Sequence, residues 1–271
     1  MRFPQALPAS PPAAEFRLVD ANLQESFRVL VPGRAQGELL DLDGIRIISL
    51  GVTFQMFNAA FVNAPVNGNA GMEPLLRRAQ RHFAAAGRSW ALWICEDWLD
   101  RRARRQLTRL CGNFGLRKAS EVPGMMATRL PPPSRLLPAL EIHRVADPQT
   151  LHDFTSIGPA CFNVPPVWYR EVFDASLAAR PFIAWVAYEQ GNPVGTAATV
   201  TADGVIGLYN VATAPGFRGR GIAEALTRHA IAAALKATPG APVVLQSSEM
   251  GINLYAELNF RPVTRILVYN S

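Results

Sequence analysis

Three consecutive prolines, Pro131-Pro132-Pro133, with Ser134, Arg135, Leu136, Leu137 and Pro138 after them, constrain this 271-residue chain more than any other segment. Each proline fixes φ and removes a backbone donor, so the run excludes helix and central strand and favours an extended connector. It falls near the midpoint, and we place a domain boundary there, with units at 1–135 and 136–271. Either is long enough to bury a core of its own. Charge divides at the same place. Residues 1–135 carry 18 Lys and Arg against 11 Asp and Glu, whereas residues 136–271 carry 9 against 10. The whole net charge of +6 therefore comes from the first half.

With 49% apolar and 18% charged residues, the chain has the composition of a globular protein and not of a disordered one. Its longest apolar run is the seven residues Phe182–Tyr188, too short for a membrane helix of about 20 residues. Met1-Arg2-Phe3-Pro4 is basic but runs into Pro8, Pro11 and Pro12 without the apolar core of a signal peptide. Cys95, Cys111 and Cys161 are odd in number and far apart, which gives neither a disulfide framework nor a metal pair. His82, His143, His152 and His229 have no metal-ligand spacing. We expect a soluble, cytoplasmic protein without a metal.

In the first half, Ile45–Phe57 is strand-like around Ile45, Ile47 and the Phe54–Met56 region. Met72–Ala86 reads as a helix with Glu73 and Pro74 in its first turn and Gly87 as its stop. Trp90–Cys95 reads as a buried strand, Asp100–Cys111 as a helix ended by Gly112, and Met125–Leu130 as a last strand. In the second half the expected strands are Leu140–Arg144, Phe182–Tyr188, Val194–Val200, Val205–Ala212, Val243–Ser247 and Thr264–Tyr269. Turns at Gly191-Asn192-Pro193 and Asp203-Gly204 join three of them. Helices are expected at Pro148–Ile157, Trp168–Ala179, Ile222–Ala237 and Gly251–Leu258. The fold class is mixed α/β: two units, each a mostly antiparallel sheet flanked by helices.

Between the strand ending at Ala212 and the helix beginning at Ile222 lies Thr213-Ala214-Pro215-Gly216-Phe217-Arg218-Gly219-Arg220-Gly221. Pro215-Gly216 turns the chain, and Gly219 and Gly221 can adopt backbone conformations closed to other residues. The first N–H groups of the following helix lack internal partners, and the helix dipole favours an anion beside them. Arg218 and Arg220 add positive charge. A P-loop would need Gly-Lys-Ser/Thr, which is absent, and a dinucleotide fingerprint would need glycine at Glu224.

This arrangement resembles the GNAT superfamily of acetyl-CoA-dependent N-acetyltransferases. Their Gln/Arg-x-x-Gly-x-Gly/Ala motif is matched by Arg218-Gly219-Arg220-Gly221-Ile222-Ala223. A later family segment, Leu-Tyr-x-x-x-Gly-Phe, is matched by Leu254-Tyr255-Ala256-Glu257-Leu258-Asn259-Phe260, with Asn259 in place of glycine. Asparagine also enters the left-handed region at modest cost. The resemblance covers about residues 140–271. The first half looks like a degraded copy of the same fold, as in tandem GNAT proteins. Its nearest glycine turns, Asn67-Gly68-Asn69-Ala70-Gly71 and Gly112-Asn113-Phe114-Gly115, lack the strand–turn–helix setting, so no cofactor is expected there.

The resemblance implies direct transfer of an acetyl group from acetyl-CoA to a primary amine, with CoA as product. Val211, Ala212 and Thr213 at the strand end would meet the pantetheine arm, and Arg218, Gly219, Arg220, Gly221, Ile222 and Ala223 the pyrophosphate. Tyr255 matches the position of the proton donor to the leaving thiolate. Glu249 is a candidate base and Asn253 a candidate CoA contact, although a helix-end carboxylate and a surface asparagine explain them equally well. Cys161 reads as an inert thiol. The run Arg101-Arg102-Ala103-Arg104-Arg105 reads as a solvated helix face, so no nucleic-acid partner is expected, nor any membrane. The acceptor is a small-molecule or peptide amine, and the oligomeric state stays open. The alternative reading is a CoA-binding sensor or regulatory module without catalysis.

Overall fold

The computed structural model describes residues 15–174 and 176–271. The expectation for Met1–Pro12 lies outside the described residues. In the first half the elements are α1 (Glu15–Arg28), β1 (Glu38–Leu42), β2 (Ile45–Ser49), β3 (Asn58–Val62), α2 (Gly68–Ala85), β4 (Ala91–Cys95), α3 (Arg101–Asn113) and β5 (Arg117–Ala127). In the second they are β6 (Glu141–Arg144), α4 (Pro148–Phe162), α5 (Pro166–Val172), β7 (Phe182–Glu189), β8 (Asn192–Ala202), β9 (Val205–Thr213), α6 (Ile222–Leu235), β10 (Val243–Gln246), α7 (Ile252–Glu257) and β11 (Arg261–Asn270).

Local chemistry explains most boundaries. Asp147 caps α4, its side chain accepting from Thr150 N–H while Thr150 reaches back, with Pro148 in the first turn. Asp100 caps α3 in the same way through Ala103 N–H. The β7–β8 and β8–β9 hairpins turn on Gln190-Gly191 and Asp203-Gly204, each pair with positive φ at both positions. Such turns match the right-handed twist of the strands they join.

All eleven strands form one sheet in the order β1-β2-β3-β4-β11-β5-β10-β9-β8-β7-β6. Pairing is antiparallel except for β3–β4 and β9–β10, the two pairs bridged by crossover helices α2 and α6. The mixed, mostly antiparallel character agrees with the sequence reading. The two sheets, however, are fused edge to edge by an exchange. Strand β5, from the first half, pairs with β10 of the second. Strand β11, from the second half, pairs with β4 of the first. β5 and β11 pair with each other at the centre.

The core crosses the same line. One cluster of buried side chains joins Phe27, Ile47, Phe61 and Trp90 of the first half to Phe154, Tyr169, Phe182 and Val200 of the second. Helix α1 lies against second-half strands: Asn22 Nδ2 donates to Val200 O and Val205 O at 3.3 and 3.1 Å, and Tyr209 OH donates to Asn22 Oδ1 at 2.6 Å. Gly207 permits this approach, since a Cβ there would overlap Asn22 Oδ1.

Several expectations need correction. Phe54–Met56 is a turn, because Gly51 at φ +68° breaks the strand after Ser49. α2 starts at Gly68 rather than Met72, which puts Pro74 in its second turn. Gly112 lies inside α3, and Gly115, at φ +76°, makes the turn after it. Trp168–Ala179 divides into α5 and a separate helical turn at Leu177–Ala179, because Phe173 leaves helical geometry at ψ 74°. Helix α1 and strands β1 and β3 lie outside the elements that the sequence pattern predicts.

Candidate active site

β9 and β10 pair only at Ile206–Val243 and Gly207–Val244. Beyond those residues the two parallel strands are unpaired, which leaves a gap at their carboxyl ends. An irregularity in β9 shapes its edge. Ala198 faces Tyr209 and Thr196 faces Ala212, so Asn210 and Val211 together oppose Ala197. Asn210 sits at φ +51°, and its carbonyl accepts from Thr196 Oγ1 at 2.8 Å. That carbonyl points toward β8, so the trans peptide turns the N–H of Val211 into the gap. The same holds one step on: Ala212 O would lie 2.9 Å from a Cβ on Gly195 of β8, so Thr213 N–H also faces the gap.

Past Thr213 the chain makes a helical turn at Pro215–Phe217 and enters α6. Gly219 and Gly221 adopt φ of +77° and +83°. Gly221 is the N-cap residue, no side chain caps the helix, and its first backbone bond runs from Ala225 N–H to Gly221 O. The N–H groups of Ile222, Ala223 and Glu224 therefore lack the intrahelical partner that later residues have. The two motif arginines are not equivalent. Both are exposed, but Arg220 pairs with Glu189 at 2.7 Å and lies over Phe217, whereas Arg218 has no ion pair among the described residues and donates to Thr213 O at 3.3 Å. The connector after the prolines crosses the same place: Arg135 Nη2 and Pro138 Cδ each lie 3.3 Å from where a Gly221 Cβ would stand. Sequence reasoning missed Arg135 as a neighbour of this turn.

Tyr255 is buried in α7, its ring edge-on to Phe260 at 5.7 Å. Burial pushes the phenol's pKa up, with no hydrogen bond among the described residues to oppose it. Glu249 follows β10 on an exposed loop, and Asn253 is exposed on α7. From the other side of β9, Cys161 Sγ donates to Thr213 O at 3.3 Å, and Asn210 Nδ2 donates to Tyr169 OH at 3.1 Å. Burial, then the nearby Cys161, raises the Tyr169 pKa against that hydrogen bond. Asn210 could have been found: an asparagine in the strand Tyr209-Asn210-Val211 is out of place in a regular ladder and tolerates the left-handed region. Among the described residues no group of three His, Cys, Asp or Glu is placed to hold a metal. No helix among them is long and apolar enough to cross a membrane.

The first half repeats the strand–turn–helix plan after all: β3, the Asn67-Gly68 turn and α2 precede the parallel strand β4. Gly68 has φ +61°, and its N–H donates to Asp100 Oδ2 at 3.0 Å. Asp100 Oδ1 accepts from Ala103 N–H at 2.6 Å. These backbone bonds hold its carboxyl below the usual carboxylate range.

Residues 180–262 match the family model described as the acetyltransferase (GNAT) domain. Curated proteins give no match. Among solved structures the chain resembles a GCN5-related N-acetyltransferase from Kribbella flavida at 17% identity and TM-score 0.70, over 95% of each chain. It also resembles a GCN5-related N-acetyltransferase from Sphaerobacter thermophilus at 16% identity and TM-score 0.60, over 97% of this chain and 94% of that one. A tandem GNAT protein from the clavulanic acid biosynthesis pathway aligns over 96% of each chain, at 13% identity and TM-score 0.55. At these identities the likeness is one of fold. Residues 180–262 thus match a GNAT acetyltransferase domain, and along its length the chain shares the fold of a tandem GNAT protein.

Proposed function

We propose that the protein is an N-acetyltransferase that moves an acetyl group from acetyl-CoA to a primary amine, with residues 136–271 carrying the site and residues 1–135 holding no cofactor. One observation carries the reading: an uncapped helix N-terminus with two left-handed glycines stands beside a strand edge whose N–H groups face an open gap. The turn supports this reading of the donor site. A Cβ on Gly219 would meet open space, so the backbone there is left free for approach by a pyrophosphate. Ile222, Ala223 and Glu224 would donate N–H groups to it, with Gly219, Gly221 and Arg218 beside them.

Acetyl-CoA supplies an activated acetyl thioester. Val211 and Thr213 would donate N–H to the pantetheine arm and polarise the acetyl carbonyl, and Ala212 keeps the backbone between them in register. As the C–N bond forms and the C–S bond breaks, the amine nitrogen must lose a proton and the sulfur must gain one. Glu249 is assigned the first transfer and Tyr255 the second; the raised pKa keeps the Tyr255 proton in place at neutral pH. Asn253, on the exposed face of α7, is assigned a contact to the CoA chain. Arg220, tied to Glu189, sets the shape of the turn rather than meeting phosphate first.

The test is calorimetry with acetyl-CoA followed by thiol release in the presence of amines. Tight binding with release supports transfer. Binding without release from any amine would favour a sensor instead, and no binding would overturn both.

A further inference from the structure

We infer that the acceptor is a small monoamine carried on an apolar body, aromatic or alkyl, and that Phe162, Val167 and Met250 form its contact surface. The inference rests on the proposed transfer and names the substrate class of that site. Among the described residues six large apolar side chains are exposed: Leu39, Leu40, Leu136, Phe162, Val167 and Met250. Half of them flank one feature. Phe162 and Val167, 43% and 54% exposed, belong to the segment that Cys161 and Tyr169 hold against the end of β9. Met250, 69% exposed, follows β10 on the other side of the gap. The strands are parallel, so both segments stand at the same end of the sheet, where the reacting carbonyl would lie.

The apolar rim is held in place and continues inward. Phe162 stacks on Tyr169 with centroids 6.3 Å apart. Trp168 stacks on Phe54 of the first half at 5.7 Å, and Glu171 fixes the same loop by accepting from Thr53 N–H at 2.8 Å. The first half thus contributes a wall to the mouth. Exposed apolar side chains on both sides of a gap suit the apolar body of a ligand. Charge narrows the class further. Asp174 is paired with Arg34, and Glu171 is engaged by Thr53. Glu249, exposed and without an ion pair among the described residues, is a carboxylate at the rim that can pair with the acceptor's ammonium. A polyamine would leave further charges against apolar surface without partners.

The experiment uses the full chain saturated with acetyl-CoA, and reads thiol release and calorimetric binding for 2-phenylethylamine, hexylamine, spermidine and a lysine-containing peptide. The expected result is binding of the two apolar monoamines and a specificity constant at least about tenfold above that for spermidine or the peptide. Phe162→Ser and Val167→Ser should each raise KM for 2-phenylethylamine several-fold, on the order of 10-fold together. Affinity for acetyl-CoA and the melting temperature should stay as in the wild type. A preference for spermidine or the peptide, no binding of the apolar amines, or an unchanged KM in both variants overturns the inference while leaving the transfer reading standing. Failure of the wild type to bind acetyl-CoA instead removes the transfer reading, and this inference with it.

Discussion

Asp100 Oδ2 accepts the N–H of Gly68 at 3.0 Å, so a carboxylate of the chain itself stands at the head of α2 where an anion is proposed to stand at the head of α6. The two crossover units, β3–α2–β4 and β9–α6–β10, are alike in direction and connection. They differ in what meets the first free N–H groups. In the first half the same carboxylate also caps α3 through Ala103, which fastens two helices together. Asp100→Ala should therefore lower the melting temperature while leaving acetyl-CoA affinity unchanged, as read by thermal denaturation and calorimetry on one preparation. A loss of affinity would place cofactor binding in the wrong half.

Tyr255→Phe removes a hydroxyl and leaves the packing against Phe260. If the phenol delivers the proton to sulfur, turnover should fall about 10²–10⁴-fold with acetyl-CoA affinity nearly unchanged. Thermal stability should hold, since no apolar volume is lost. A variant that keeps its rate but melts earlier would make Tyr255 a core residue only.

Residues 136–271 expressed alone should not form a stable domain. They lack β5, which fills the space between β10 and β11, and they lose α1, whose Asn22 pairs with β8 and β9. Co-expression with residues 15–135 should restore soluble protein. A soluble, fully active 136–271 fragment would contradict the interdependence of the halves.

Asp20 offers a pH test. Burial on the inward side of α1 raises its pKa from 3.8 to about 6, opposed by hydrogen bonds from Trp98 and Gln24 and by Arg46. Between those values the folded state holds a proton that the unfolded state releases. Stability should therefore fall as pH rises from about 4 to above 6, the reverse of a paired carboxylate. Trp98 Nε1 and Gln24 Nε2 both donate to the same oxygen, Oδ2, at 2.9 Å, so an asparagine carbonyl can keep both bonds. Asp20→Asn should be more stable than the wild type by roughly 2–3 kcal/mol at pH 7, with the difference vanishing near pH 4. Denaturant titrations at several pH values would show it; a constant difference across pH would contradict it.

The second half was legible because its signals are local. Asp203-Gly204, Pro148 behind Asp147, and Gly219 and Gly221 each act on their own backbone. The first half was less so. Helix α1 carries Phe16, Val19, Leu23 and Phe27 at helical spacing, but polar and charged residues separate them and a proline-rich stretch precedes them, so the pattern is weak. Strand β5 begins with Arg117, Lys118 and Ser120, which are polar because that end is exposed, so the strand expected at Met125–Leu130 overlaps it only at Met125–Ala127. The exchange of β5 and β11 leaves no local mark at all: it depends on which edge each strand reaches after the whole chain has folded. Glu249 is read from its place just after the strand Val243–Ser247 and Asn253 from its place in the short helix that follows, and both lie on exposed segments where sequence pattern says little about direction.

Titration calorimetry of acetyl-CoA into the wild-type chain and into Gly221→Val is the most direct test. Gly221 has φ +83°, a conformation strained for valine, and a side chain there would press on Arg135 and Pro138 at the head of α6. The account predicts one site per chain in the wild type and loss of binding in the variant, with the fold retained by circular dichroism. Two sites per chain, or unchanged affinity in folded Gly221→Val, would contradict it.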